Sequence, residues 1–467
     1  MYTKNTHIHF VGIGGIGMSG IATILKKQGY TVSGCDPDVK QSTIDQLKQL
    51  GCSIYNENNA PGCDDATIDV LVYIPMYATT ISTVATEIKR SQERNIPTIS
   101  RARMLAELMR TKYSIAIAGS HGKTTTTSLI SHVLIESETD PTVIIGGNLK
   151  NISSNMRTGN GNFLVAEADE SDRSFLELSP TIAVITTIDL EHLETYRDLN
   201  DIKKAFKQFI SHIPFYGKAV VCIDDENIRS ILPHISQKII AYGLEQNADI
   251  YANNIRMERD SSSFDVYSKK YPEKLGTVAL PVPGKHNIYN CLAAIAVAQE
   301  INIPFLSIQK ALASFAGVER RFSFHGIYKD AELFDDYGHH PKEIENALII
   351  AHKRAQNKLT VIFQPHRYTR TQKLWSQFIS TFTSAYIDTL IITDIYSAGE
   401  TPSPTISSKN LADAIHKANP NISVEYAPFT QNFHHIKKAI DRSIQPNDLI
   451  LFLGAGKIYH LAKELAE

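Results

Sequence analysis

The chain has 467 residues, with 47 Lys+Arg against 49 Asp+Glu and a net charge of -2. That length exceeds what one hydrophobic core organises and predicts roughly two to four domains. The balanced charge excludes an electrostatic footprint for nucleic acid or an anionic membrane, so small-molecule partners are expected.

The N-terminus runs directly into a strand and a glycine turn, with no signal-peptide pattern, and no apolar run reaches spanning length. A cytoplasmic protein is expected, as a monomer or homodimer. Cys35, Cys52, Cys63, Cys222 and Cys291 show no CxxC or Cys/His ligand spacing and read as reduced thiols.

Apolar strand-like runs alternate with amphipathic helical segments almost throughout, which predicts an α/β protein of mainly parallel sheets covered by helices. Strands are expected at 7–11, 30–34, 70–74 and 98–100, followed by a helix at 101–110. A new strand at 113–118 opens a second glycine loop, so the first boundary belongs near 110. Strands at 142–145, 163–166, 182–187, 219–223 and 239–242 follow. A polar stretch, 253–263, then leads to helices at 289–301 and 307–315, the last stopping at Gly317. From 331 onward strands at 333–336, 359–363, 389–393, 423–426 and 449–453 predict a doubly wound C-terminal domain. The division is 1–110, 111–317 and 318–467.

Gly12, Gly14, Gly15 and Gly17 form a GxGxxG-type turn between strand and helix, the Rossmann-like context in which a helix N-terminus takes a pyrophosphate. Asp36, ending the next strand, is placed to bond a ribose or base. To this point an NAD-dependent oxidoreductase would look the same.

The second loop, Gly119, Ser120, His121, Gly122, Lys123, Thr124 and Thr125, resembles a P-loop shortened to GxxGKT, since Ile117 stands where the longer motif has its first glycine. Its N–H groups can cradle ATP phosphates, Lys123 can neutralise them, and Thr124 can ligate Mg. The partner acid is expected at Glu167, closing an apolar strand, with Asp169, Glu170 and Asp172 in the loop beyond. His192 arrives at the end of the following strand. An ATP-driven phosphoryl step follows from this pairing.

The motifs GIGGIGMSG, MLAELMR, AGSHGKTTTT, EADESD, HNIYN, GVERRF, DDYGHHP, FQPHRYTRT and LGAG, in this order along the whole chain, are similar to those of the Mur ligases. The resemblance implies three domains, for UDP-sugar, ATP and amino acid, and ATP- and Mg-dependent joining of L-alanine to UDP-N-acetylmuramic acid through an acyl phosphate. It also implies closure of the C-terminal domain over the site. A related ligase adding a whole peptide to the same sugar is the nearest alternative.

By position, the resemblance puts Lys123 and Thr124 on ATP and one Mg, and Glu167 and His192 on a second Mg. His286, Asn287 and Asn290 fall on adenine, and Arg321 and Asp336 on the nucleotide. Tyr337, His339, His366, Arg367 and Arg370 surround the amino acid. His192 or His366 takes the amine proton, His340 is either structural or at the site, and Lys207 could be a carbamylated metal bridge. The turn 73–77 stands where the family tends to be serine-rich.

Overall fold

The computed structural model describes residues 5–56, 65, 67–75, 82–192 and 194–467, with the backbone alone at 16, 42, 82 and 83. Among these residues the strands form sheets of five, ten and six strands. The turn expected to differ at 73–77 therefore lies partly outside the described residues, at Met76 and Tyr77.

The five-stranded sheet comprises β1 (His7–Val11), β2 (Thr31–Cys35), β3 (Ser53–Tyr55), β4 (Val70–Tyr73) and β5 (Thr98–Ser100), ordered β3-β2-β1-β4-β5 and parallel throughout. Its order reverses at β1, which puts the glycine turn at a topological switch point, where open α/β sheets bind ligands.

The ten-stranded sheet runs from β6 (Tyr113–Ala118) through β7 (Thr142–Leu149), β8 (Ser154–Arg157), β9 (Phe163–Glu167), β10 (Ile182–Ile185), β11 (Lys218–Cys222) and β12 (Lys238–Gly243). It ends with β13 (Ile250–Met257), β14 (Ser262–Ser268) and β15 (Tyr271–Leu280). Its order is β15-β14-β13-β12-β11-β10-β6-β9-β7-β8. β6 lies between β9 and β10, parallel to both, so the loops after all three converge. These strands read as nearly unbroken apolar runs because helices bury both faces.

The six-stranded sheet holds β16 (Ser323–Tyr328), β17 (Ala331–Asp336), β18 (Leu359–Phe363), β19 (Thr389–Ile392), β20 (Ser423–Tyr426) and β21 (Leu449–Leu453), ordered β16-β17-β21-β18-β19-β20. Only the β16–β17 pair among them is antiparallel. The molecule divides into two compact units: 1–254 with 264–278 and 288–315, and 255–263 with 279–287 and 316–467.

Most expected elements stand within a residue or two of their predicted bounds. The exceptions are β7, which runs four residues past its expected end, the helix expected at 289–301, which starts at Lys285, and the polar stretch at 253–263, which is largely sheet. β14 alternates buried and partly exposed side chains along its length, and that period of two was legible in Ser262, Phe264, Val266 and Ser268. Polar residues on the open face concealed it.

Candidate active site

Both glycine loops owe their shape to positions no other residue fills. Gly119 has φ +140°, and a Cβ there would stand 2.0 Å from Thr186 Oγ1 and 3.0 Å from two backbone nitrogens. Gly122 has φ +81° and caps the helix Lys123–Glu136, with Asn290 Oδ1 where its Cβ would point. Asn290 is itself buried, accepting from Thr126 Oγ1 at 3.1 Å. Its carboxamide thus supports the phosphate loop from beneath.

Lys123 curls over that loop. Its ammonium donates to the Gly119 carbonyl at 2.7 Å and pairs with Glu170 Oε1 at 2.7 Å. Burial works against this charge, yet Glu170 and Glu167 together raise its pKa above the usual lysine value. Thr124 Oγ1 donates to Glu167 Oε1 at 3.3 Å, and Glu167 Oε2 accepts from Gly146 N at 3.0 Å. Ser120 and His121 face β10's outgoing loop: the Ser120 hydroxyl accepts from Asp189 N, and His121 Nε2 lies 3.2 Å from Asp189. Thr125 is buried at the helix start.

His192 has φ +53°, a left-handed conformation that costs a non-glycine residue about 1–3 kcal/mol. It sets Nε2 3.4 Å from Glu170 Oε1 and 3.8 Å from Glu191. Burial alone would lower its pKa, but bonds to Glu170 and Glu194 and the charge of Glu191 outweigh burial and lift it to about 9.

Glu170 is therefore the hub of the site, although the sequence shows it only as one of several acids in a loop. The signal was faint: nothing in the sequence tells which acid of 167–172 turns inward. Glu170 Oε2 is buried and accepts no hydrogen bond among the described residues. Glu170, Glu191 and His192 offer ligand atoms within 4.8 Å of one another. A hard divalent cation fits such oxygen-rich surroundings.

A cavity of about 270 Å³ reaches from Gly17 and Arg101 to Lys123, Gly146, Glu167 and Asp169. It joins the first glycine turn to the phosphate loop. Arg101, whose guanidinium lies against Gly17, was not singled out from the sequence. Its place at the start of the helix Arg101–Met109, capped by Ser100, brings it there.

In the first turn, Gly12 N and Ile13 N donate to the Cys35 carbonyl, Gly14 N to Asp36 Oδ2 and Gly15 N to the Gly12 carbonyl. These N–H groups shape the turn and are committed. The helix Ile16–Lys27 starts directly after this turn without a side-chain cap at Gly15, and the first N–H groups of a helix have no acceptor within it. Asp36 Oδ2 is spent on the turn itself, while its Oδ1 accepts from Asp38 N at 3.0 Å.

In the second unit, Asp336 accepts from Phe322 N and Gly338 N, and burial, opposed by Arg321, raises its pKa to about 6. Arg320 stacks on Tyr337 and Tyr459, and Arg321 approaches Tyr337 at 5.3 Å. His286 is held to about 4 by burial and Arg321, and Asn287 donates to the Pro283 carbonyl. His339 lies 5.7 Å from His366, ring to ring, and His366 stacks on Tyr396. Arg367, with φ +70°, donates its N–H to the Tyr396 carbonyl.

Two expectations change and one open reading is decided. His366 and His192 do not titrate near neutrality: burial and Arg370 hold His366 to about 4, while His192 stands near 9. His366 Nδ1 accepts from Arg370 at 3.1 Å, so its lone pair orients that guanidinium instead of taking a proton. His340 caps the helix Pro341–Arg354 in a capping box with Glu343, a structural role. Lys207 lies on the exposed face of the helix Leu199–Ser211, away from any buried metal bridge.

Sequence models described as the Mur ligase family catalytic domain, the Mur ligase middle domain and the Mur ligase glutamate ligase domain match residues 7–113, 117–298 and 320–456. The chain is 46% identical to the UDP-N-acetylmuramate--L-alanine ligase of Syntrophotalea carbinolica, over 100% of this chain and 99% of that one. It is 47% identical to that of Geobacter sulfurreducens, over 98% and 96%. The crystal structure of the UDP-N-acetylmuramate-alanine ligase MurC from Thermotoga maritima superposes with a TM-score of 0.78 at 28% identity, covering 99% of this chain and 98% of that one. Matched from the first glycine turn to the last strand, the chain belongs to the Mur ligase family.

Proposed function

We propose that this protein ligates L-alanine to the carboxylate of UDP-N-acetylmuramic acid, driven by ATP and passing through an acyl phosphate, in peptidoglycan precursor synthesis in the cytoplasm. The observation that carries this reading is the cavity joining the first glycine turn to Lys123 and Glu167. It gives a nucleotide-sugar and a γ-phosphate a common meeting place, and full-length relatives at 46–47% identity bear the same activity in their names. Lys123 and Glu170 have no task in a dinucleotide oxidoreductase. No helix among the described residues is long and apolar enough to cross a membrane.

Three functional domains, 1–110, 111–317 and 318–467, are proposed, a division supported by the three matched family segments. Gly12, Gly14 and Gly15 shape the turn, Gly17 leaves room for the Arg101 guanidinium at the helix start, and the UDP pyrophosphate lies on that helix N-terminus with Arg101 beside it. The loop from Gly119 to Thr125 takes the ATP phosphates. His286, Asn287, Arg321 and Asp336 serve the nucleoside, and Asn290 positions the loop.

Thr124, Glu167, Glu170 and His192 would hold Mg, which when bound offsets the repulsion between phosphate and carboxylate. For His192 to join them its ring must first give up the proton that Glu170 and Glu194 now stabilise. A carboxylate oxygen of the sugar attacks the γ-phosphorus as the bond to ADP breaks, and Lys123 stabilises charge on the transferring group. The amine of L-alanine, its ammonium proton having passed to solvent, then attacks the acyl carbon; the C–N bond forms as the bond to phosphate breaks, and the departing phosphate takes the second amine proton. Arg370, aimed by His366, and Arg367 hold the alanine carboxylate, with Tyr337 and His339 lining the pocket.

Competition between labelled L-alanine and a tripeptide for the same acceptor tests the assignment. Alanine should be incorporated far better. Preferential incorporation of the tripeptide would reassign the chain to the peptide-adding activity.

A further inference from the structure

The LGAG motif, Leu453 to Gly456, follows directly from β21. That strand lies between β17 and β18 and runs parallel to both, so its loop emerges between the segment bearing Tyr337 and His339 and the segment bearing His366 and Arg370. Two residues grip the loop. Gln364, buried just after β18, donates its N–H to the Leu453 carbonyl at 2.9 Å and accepts at Oε1 from Lys457 N at 2.7 Å and Ile458 N at 3.1 Å. Gly454 has φ +141°, and a Cβ there would strike the Gln364 carbonyl. Arg320 Nη2 donates to the Gly454 carbonyl at 2.6 Å and lies 3.4 Å from that of Gly456.

Arg320 also holds Tyr337. Its guanidinium carbon lies 4.7 Å from the centre of the Tyr337 ring and 4.1 Å from that of Tyr459, a planar cation over two electron-rich faces. Its own carbonyl accepts from Tyr337 N at 2.8 Å. The buried Asp335 balances the charge, one carboxylate oxygen standing 3.5 Å from Arg320 Nε and the other 3.0 Å from His325 Nε2. From Tyr337 the contacts continue ring to ring. Tyr337 meets His339 edge-on at 5.4 Å, His339 lies 5.7 Å from His366, and His366 Nδ1 accepts from Arg370 at 3.1 Å. Only a guanidinium offers a flat face and in-plane donors together; a lysine ammonium has the charge without the face.

We propose that Arg320 is a positioning residue for the amine substrate: it pins Tyr337 to the LGAG loop and, through the rings of Tyr337 and His339, sets where His366 aims Arg370. This rests on the reading of Tyr337, His339 and Arg370 as the amino-acid pocket. With Nη2 on the loop carbonyls and its face on the two rings, Arg320 acts through Tyr337. The loop 119–125 that takes the ATP phosphates belongs to the other compact unit, so loss of Arg320 is felt first by the amine.

The test is steady-state kinetics of the full chain, varying L-alanine, ATP and UDP-N-acetylmuramic acid in turn. Arg320→Gln should lower kcat/KM for L-alanine about 10- to 100-fold, up to the scale of a roughly 1 Å misplacement, with a smaller change in KM for ATP and little in KM for the UDP-sugar. Arg320→Lys should recover part of the loss, since it keeps the charge and a donor for the Gly454 carbonyl but no stacking face. Equal changes in all three KM values, or a lowered melting temperature with alanine kinetics unchanged, would make Arg320 a residue of the fold alone and overturn the inference. If Arg320→Gln does not fold, Tyr459→Leu decides in its place: removing one ring should give the same split in smaller measure, and no split overturns the role. A wild-type chain that takes the tripeptide in preference to alanine refutes the substrate assignment, and Arg320 then stands or falls by the same split in the tripeptide's KM.

Discussion

Replacing Lys123 by alanine removes the ammonium that Glu170 and the Gly119 carbonyl hold at the mouth of the phosphate loop. Its expected effect is a fall in kcat of at least about 10²–10³-fold, the scale for losing one charge-stabilising group. UDP-sugar affinity, read by calorimetry, should be largely intact; retained turnover would remove the lysine from the phosphoryl step. Gly119→Ala acts through shape. A methyl group 2.0 Å from Thr186 Oγ1 at φ +140° should destabilise the protein by about 1–3 kcal/mol in a urea titration. In the second unit, Arg370→Ala removes charge-assisted bonds worth about 1.5–3 kcal/mol, so KM for L-alanine should rise roughly 10- to 150-fold with a smaller change in KM for ATP. An equal rise in both would place Arg370 elsewhere.

The loop that follows β9 carries the largest difference between sequence and structure at the site. Glu167 was legible because it ends an apolar strand beside β6, where a P-loop needs an acid. Glu170 was not, because its inward turn depends on contacts from other elements. Its backbone carbonyl accepts from the Tyr196 hydroxyl, and Arg173, three residues on, lies over the Tyr196 ring. Similarly, GxGxxG announced a tight turn between strand and helix but not that the turn spends its N–H groups on Cys35 and Asp36. DDYGHH left His340 between a structural role and the site, and the capping box with Glu343, formed only once the helix is in place, decides for the first. Patterns along one element carried over well, whereas partners across elements did not. Glu170→Gln tests the hub: leaving a buried lysine without its nearest partner should cost up to about 3–5 kcal/mol in unfolding free energy. No loss of stability would mean that Glu167 alone suffices.

Across the whole molecule, buried histidines set the response to acid. Burial first, with neighbouring cations for His286 and His366, holds His9, His286 and His366 to about 4 and His339 to about 3. Unfolded histidines titrate near 6.5, so the unfolded chain binds more protons between about pH 6.5 and 4, and stability falls as pH drops through that window. His192, raised to about 9, acts in the opposite sense: its contribution is whole below pH 6.5 and is lost as pH rises through 9. Melting temperatures should therefore peak near neutrality, with the steeper fall on the acid side; a flat acid limb would contradict the buried neutral histidines. The three sheets were legible because α/β alternation is written in apolar runs, and the β13–β15 extension was obscured by its polar face. Phosphate release from ATP, measured with UDP-N-acetylmuramic acid in the presence and absence of L-alanine, tests the proposed ligation most directly. Sustained release that requires both substrates is expected, and release indifferent to either of them would contradict it.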